Sequence, residues 1–160
     1  MSEASGQLDH LVKTRELFAT QDPSLDKPIM RQSTPQGITS FDAMDEKLGQ
    51  LLRLARDEEA LSRVELSALV GLNPVVYARY EKAVSRMTVV RMIHMCELLG
   101  LSPEHFTGAT APHLYGRTSH EAKDYVRLME MISKLPADAV SDLREFVSRI
   151  RPERHATVSD

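Results

Sequence analysis

The sequence predicts an all-α fold, with a five-helix domain followed by a C-terminal helical hairpin. Of the 160 residues, 42% are hydrophobic and 27% are charged, which is typical of a soluble globular chain and not of a membrane or disordered protein. Aromatic residues make up only 5% and tryptophan is absent, so Leu, Val, Ala and Met supply the apolar mass, which favours helix-on-helix packing. From Phe41 onward, apolar side chains also recur at helical spacings of three and four residues.

Residues 1–39 are predicted to be an N-terminal arm and linker with one short helix. Leu8, Leu11 and Phe18 form a narrow apolar stripe between Gln7 and Thr20. The stretch that follows, through Gly37, is rich in proline and polar residues and poor in large apolar ones, which is typical of a linker.

Residues 40–108 are predicted to be the five-helix domain. Capping residues, first-turn prolines and closing glycines mark its helix ends. Ser62 and Glu65 have the spacing of a capping box, in which each side chain binds the other's backbone N–H. The five helices are predicted over Phe41 to Ala60, Arg63 to Gly71, Pro74 to Ala83, Thr88 to Gly100, and from Ser102 onward.

The C-terminal third is predicted to be a linker over 109–117, a helical hairpin over 118–151 and a disordered tail over 152–160. The stretch from Thr107 to Gly116 contains two glycines and a proline, which indicates the linker, and Leu135-Pro136 separates the two hairpin helices. The apolar stripes of two such helices cover each other only in part, so we expect the remainder to pair two chains. The predicted dimerisation residues are Tyr125, Met129, Ile132, Leu143, Phe146 and Ile150. The alternative is that the hairpin packs on its own domain.

Two short helices joined by a tight turn at Gly71 are the arrangement that places one helix in the DNA major groove. The stretch around that turn, LSRVELSALVGLNPVVYARYEKAVSR, resembles the lambda-repressor-like, XRE-type helix-turn-helix family, and the resemblance covers residues 48–106. It implies that Ser67 is the small residue at the helix crossing. It also implies that Arg56 and Glu81 form a charge pair that braces two helices.

The resemblance implies a DNA-binding face with the helix from 74 to 83 as the recognition helix. Of its side chains, Arg79 is the one suited to read a base edge by hydrogen bonds, and Val75 suits apolar contact with a thymine methyl group. This chain departs from the family where Pro74, Val75 and Val76 replace polar residues. The implied DNA-binding residues are Arg63, Asn73, Pro74, Val75, Arg79, Lys82 and Arg86.

The charge of the domain gives no general signature of a nucleic-acid binder. The whole chain has a formal charge of −3, and residues 45–108 hold eight basic and nine acidic side chains. DNA binding therefore depends on a local stripe of cations together with backbone amides at helix starts. A module that keeps the fold but binds a protein instead of DNA remains a second hypothesis.

The sequence offers no enzyme, metal or cofactor site. His94 and Cys96 are two residues apart and face different sides of a helix, and Ser119-His120 is explained by a helix start. The lone cysteine, the lack of a signal peptide and the lack of a membrane span indicate a cytoplasmic protein. We therefore expect a non-enzymatic, dimeric DNA-binding transcriptional regulator, with repressor and activator left open. A narrower alternative is an antitoxin or element-borne repressor that docks a protein partner through residues 1–44.

Overall fold

The computed structural model describes residues 3–33 and 37–150, and these are mostly helical. Within them, eight α-helices and one two-stranded antiparallel sheet follow one another along the chain. The predicted helical fold class is thus confirmed, with a small sheet added to it. The predicted tail, 152–160, lies outside the described residues. No described helix is both long and apolar enough to cross a membrane.

Five helices form the central domain, and capping side chains mark the starts of the first four. They are α2 (Phe41–Glu58), α3 (Arg63–Val70), α4 (Pro74–Glu81), α5 (Val89–Leu99) and α6 (Pro103–Thr110). The side chains of Ser40, Ser62, Asn73 and Thr88 each accept a backbone N–H of the following turn. The ends of α2 and α4 come two residues before the predicted ones, because Ala60 and Ala83 take left-handed φ angles of 53° and 54°.

Each of these five helices contributes one apolar face to the core of the domain. Helix α4 packs against both α2 and α3, and α6 packs against both α2 and α5. The largest side chains that are fully buried are Tyr77, Phe106, Leu52, Leu66 and Met95. Because α3 and α4 have only eight residues each, this packing and not their own length holds them in place.

The N-terminal arm differs from the prediction. Helix α1 (Glu3–Thr14) ends well before Thr20, and the residues at the end of that stretch form strand β1 (Leu17–Thr20). Strand β1 pairs with β2 (Ile29–Gln32), which lies in the stretch predicted to be a linker. The helix ends because Glu16 takes a φ of 51°, which turns the chain. Four-residue strands leave almost no periodic pattern, and their pairing depends on a segment elsewhere in the chain.

The sheet is anchored to the first turn of α2. Asp22 is buried, and its carboxylate accepts the N–H of Phe41 at 2.8 Å and the N–H and hydroxyl of Ser24 at 3.0 and 2.7 Å. The hydrogen bond from Phe41, followed by those from Ser24, lowers the pKa of Asp22 from its ordinary value. From β2, the Arg31 guanidinium lies 4.5 Å from the centre of the Phe41 ring and donates to Met44 Sδ.

The segment 109–117, which was predicted to be a linker, is packed in the structure. Helix α6 continues to Thr110, a 3₁₀ turn covers Pro112–Leu114, and Ala111 is buried. Helix α7 (Ser119–Ile132) then packs against α6 and this turn. The glycine at 108, which suggested a break, instead lies against the side chain of Val126 in α7.

The last helix, α8 (Ala137–Ile150), departs from this arrangement. None of its residues is buried. Helices therefore form on both sides of Leu135-Pro136, but only α7 contributes a buried residue, Ala122.

Candidate DNA-binding surface

Helices α3 and α4 are joined by a tight turn around Gly71. This glycine has φ 73° and ψ 35°, a left-handed conformation that costs glycine little. The N–H groups of Gly71 and Leu72 bind the carbonyl oxygens of Ala68 and Ser67, which closes α3. Ser67 is buried and donates its hydroxyl to the carbonyl of Val64, so a small side chain sits at the crossing.

Helix α4 is held close to α2 by Gly49, a residue that the sequence reasoning did not single out. A Cβ atom at Gly49 would lie 2.6 Å from the carbonyl oxygen of Tyr80 and 2.7 Å from that of Glu81. These are backbone atoms at the C-terminal end of α4, so they have little freedom to move. On the same face of α4, Tyr77 is fully buried in the core. The orientation of α4 is therefore set by close contacts on its inner face.

The outer face of α4 presents a mixed apolar and cationic surface. Val75 is 71% exposed and Val76 is 40% exposed. Arg79 and Lys82 are exposed as well, and within the described residues neither forms an ion pair. Just before the helix, the Asn73 side chain accepts the N–H of Val75 at 2.8 Å, and Pro74 occupies the first turn.

Glu81 accepts from two arginines. Arg56 Nε donates to Glu81 Oε1 at 2.6 Å, and Arg63 Nε donates to Glu81 Oε2 at 2.6 Å. The side chains of Glu81 and Arg56 are 1% and 8% exposed, whereas that of Arg63 is 41% exposed. The Arg56–Glu81 contact joins α2 to α4, and Arg63 extends it to α3. We call these three residues the Glu81 cluster.

The electrostatics of the Glu81 cluster favour the charged forms. Burial opposes ionisation of Glu81, but the hydrogen bonds from Arg56 and Arg63 outweigh it and keep its pKa below the ordinary value. Burial, helped by the negative charge of Glu81, raises the pKa of Tyr77. Glu81 is thus a carboxylate compensated by two guanidinium groups.

Arg86 has carboxylate partners, which the resemblance alone did not suggest. Its guanidinium contacts Asp42 and Asp45 in the first turns of α2, at 3.0 Å each. All three side chains keep some exposure to solvent. The segment after α4 is therefore tied to the start of α2.

The predicted dimerisation residues divide between two helices in different environments. On α7, Tyr125 is 46% exposed with its ring 5.5 Å from that of Tyr115, and Met129 and Ile132 are half-buried. On α8, Phe146 and Ile150 are largely exposed and Leu143 is half-buried. The six residues therefore do not form one continuous buried seam within the described chain.

Among the described residues, no group of three or more His, Cys, Asp or Glu side chains could hold a metal ion. Cys96 is buried, and that burial raises the pKa of its thiol.

The central part of the chain is similar to known proteins. A family model described as a helix-turn-helix domain matches residues 47–106. Among solved structures, the chain is similar to the restriction-modification controller protein C.AhdI from Aeromonas hydrophila, with 26% identity, a TM-score of 0.37, and coverage of 38% of this chain and 92% of that chain. It is also similar to the clp gene regulator ClgR from C. glutamicum, with 21% identity, a TM-score of 0.41, and coverage of 44% and 92%.

No curated protein matches the chain. The family match runs from α2 to α6 and so contains the α3–Gly71–α4 turn described above. The prediction of a helix-turn-helix domain is confirmed, and residues 47–106 of this chain are a helix-turn-helix domain.

Proposed function

We propose that the protein is a sequence-specific, double-stranded DNA-binding transcriptional regulator that acts as a homodimer. The observation that carries this proposal is the outer face of α4, where Arg79 and Lys82 are exposed and free of internal ion pairs in the described chain. In a helix-turn-helix domain, this second helix enters the major groove.

The side chains of this face suit different parts of the duplex. Arg79 is suited to bidentate hydrogen bonds with a guanine, and Val75 to contact with a thymine methyl group. Lys82, Asn73 and the first-turn N–H groups of α3 and α4 suit phosphate oxygens. The apolar Pro74 lies at the start of α4, where it allows close approach without adding a donor.

Two of the expected DNA contacts take a modified role in this proposal. Arg63 is oriented by Glu81 through Nε, which leaves its terminal nitrogens to donate to a phosphate. Arg86 is engaged by Asp42 and Asp45 and acts mainly by fixing the segment after α4. Neutralisation of phosphates then depends chiefly on Lys82 and Arg63.

Dimerisation supplies the second half of the binding site. Two copies of α4 would contact half-sites about 34 Å apart, one turn of the DNA helix. The exposed apolar face of α8 is the surface best suited to pair the copies, because burial of Leu, Ile or Phe side chains drives association.

A second candidate is a protein-interaction module, and the exposure of Val75 and Val76 favours it. Contiguous apolar side chains at the tip of a helix also suit a protein partner. Such a partner could instead use the N-terminal arm, where Phe18 and Met30 are largely exposed. The two candidates differ in salt dependence, because only phosphate contacts release condensed counterions.

The test is capture of genomic DNA fragments by the full chain, followed by gel-shift titration at several salt concentrations. We expect Arg79→Ala to reduce the binding free energy by about 1–3 kcal/mol and to relax the base preference at one position of the DNA site. Lys82→Ala should weaken binding to all DNA sequences about equally. It should also reduce the slope of log affinity against log salt concentration by about the contribution of one phosphate contact.

The matched control is Lys13→Ala, which removes an exposed cation from α1. It should leave both affinity and preference unchanged. Binding without sequence preference, or an Arg79→Ala variant indistinguishable from wild type, would contradict base reading by Arg79. No salt-dependent DNA binding at all would favour the protein-interaction module.

A further inference from the structure

The first turns of α2 carry two carboxylates that hold Arg86. Asp42 and Asp45, which we call the acidic pair, are three residues apart and so lie on one face of the helix. Arg86 Nη2 lies 3.0 Å from Asp42 Oδ1, and Arg86 Nε lies 3.0 Å from Asp45 Oδ2. Both carboxylates precede residue 47, where the match to the helix-turn-helix family model begins. The part of α2 outside that match therefore engages a cation inside it.

Arg86 lies near the end of α4 that carries Lys82. The N–H groups of Val84 and Ser85 donate to the Arg79 carbonyl at 2.9 and 3.2 Å, so the segment after Lys82 folds back on the helix. Arg86 follows directly, four residues after Lys82. We therefore expect a DNA strand that contacts Lys82 to pass close to Arg86. These backbone bonds do not involve the acidic pair, so they still hold the segment when the carboxylates are neutralised.

The charges around Arg86 differ from those around Lys82. One guanidinium faces two carboxylates, so the group is net negative, whereas Lys82 forms no ion pair in the described part of the chain. The side chains of Arg86 and Asp42 are 56% and 60% exposed, so their contact is a surface ion pair of small free energy. A phosphate must still compete with both carboxylates for the guanidinium, and their charge repels it. The acidic pair thus opposes phosphate binding by Arg86.

We propose that Asp42 and Asp45 hold Arg86 away from the DNA backbone and so limit the affinity of the protein for DNA of any sequence. Because phosphate contacts carry no sequence information, the acidic pair sets the sequence-independent part of the affinity and leaves base reading by Arg79 unchanged. This inference rests on the DNA binding of the proposed function. It makes Asp42 and Asp45 positioning residues, which act on DNA through Arg86.

Neutralising the acidic pair tests this role. Asp42→Asn with Asp45→Asn keeps the shape of both side chains and removes their charge. Titration of the full chain on a duplex of arbitrary sequence should show an affinity about fivefold to tenfold higher at about 0.1 M salt, because a freed Arg86 adds one phosphate contact. The slope of log affinity against log salt concentration should become steeper by about 0.9. Adding Arg86→Gln to the two changes should remove both gains.

Two controls separate the ion pairs from net charge and from damage to the fold. Asp26→Asn with Glu97→Gln removes two exposed carboxylates, one between β1 and β2 and one on α5, and so changes the net charge by the same amount. It should change the affinity by less than about twofold, because within the described residues neither carboxylate holds a cation. Urea denaturation should give transition midpoints close to wild type for every variant, since surface ion pairs contribute little to stability.

The outcomes separate this inference from the proposed function. An affinity gain that persists after Arg86→Gln would show that the carboxylates repel DNA directly, and would overturn the inference. It is equally overturned by a loss of affinity in Asp42→Asn with Asp45→Asn, which would show that the ion pairs brace the DNA-binding face. Unchanged affinity and slope would overturn it as well, because Arg86 would then not reach DNA. A wild-type chain that binds no duplex at low salt would remove the proposed function itself, and this inference with it.

Discussion

The α3–α4 pair and α8 differ in their length and in what surrounds them. Each eight-residue helix of the pair is shorter than a helix that is stable alone in water, yet both are fixed by buried side chains such as Leu66 and Tyr77. Helix α8 has 14 residues and an apolar stripe, and buries no residue. The position of a helix thus depends on its tertiary partners more than on its own pattern.

The largest expected effect comes from breaking the Glu81 cluster. Glu81→Ala removes the buried carboxylate that compensates Arg56, and although Asp57 and the Leu61 carbonyl still bind Arg56 Nη1, its Nε is left shielded from water without an acceptor, so we expect a loss of about 3–5 kcal/mol in the free energy of unfolding. Urea denaturation measures this loss. Glu97→Ala, which removes an exposed carboxylate from α5, should change the same quantity by less than about 0.5 kcal/mol.

A double-mutant cycle sharpens this prediction. Because Arg56 and Glu81 compensate each other, the double change to alanine should cost less than the sum of the single changes. Arg63→Ala should cost less than Arg56→Ala, since Arg63 is much more exposed. A coupling energy near zero between Arg56 and Glu81 would show that the pair contributes no more than a surface contact.

A smaller effect is expected from separating α2 and α4 at Gly49. The Cβ of Gly49→Ala would meet backbone oxygen atoms of α4, so relief requires the helix to shift, at a cost of about 1–3 kcal/mol in unfolding free energy. The same shift should weaken DNA binding, because it moves the face that carries Arg79. Gln50→Ala, at the adjacent exposed position, serves as the control for both measurements. An unchanged stability and affinity for Gly49→Ala would mean that α4 tolerates displacement.

These contrasts also explain what could be predicted from the sequence. Caps are local, so Ser62, Asn73 and Gly71 mark the ends of α3 and the start of α4 correctly. The need for a glycine at position 49 arises from the approach of two helices distant in sequence, which no local pattern encodes.

The candidate site was predictable only in part, for the same reason. A helical pattern indicates that Arg63 and Arg86 are on the surface, but not that carboxylates of other helices engage them. The pairing of β1 with β2 could likewise not be predicted from the sequence pattern, because strand pairing is a contact between separate segments.

A local effect is expected at the anchor of the N-terminal sheet. Because the pKa of Asp22 is lowered in the folded chain, its contribution to docking is complete above the ordinary carboxyl pKa of 3.8 and is lost as the pH falls through the lower folded-state value. Asp22→Asn should therefore increase amide exchange in residues 17–32 at neutral pH. The difference from wild type should disappear in acid, below the folded-state pKa.

The control for the anchor is Asp26→Asn, an exposed carboxylate in the same connection. It should leave exchange in the sheet as in wild type at either pH. Equal protection in Asp22→Asn and wild type at neutral pH would mean that the sheet is held without the Asp22 hydrogen bonds, by contacts such as those of Arg31 with Phe41 and Met44.

The smallest effect on the stability of a single chain is expected at Phe146. Its side chain is 58% exposed, so in dilute samples that light scattering shows to be monomeric, Phe146→Ala should change the unfolding free energy by less than about 0.5 kcal/mol. Phe106→Ala, by contrast, empties a fully buried site and should cost about 3–5 kcal/mol. At concentrations where wild type is dimeric, Phe146→Ala should lower the fraction of dimer, because the same ring is then covered by the partner. A large loss of monomer stability in Phe146→Ala would show that α8 packs on its own domain in solution, and its apolar face would then need no second chain.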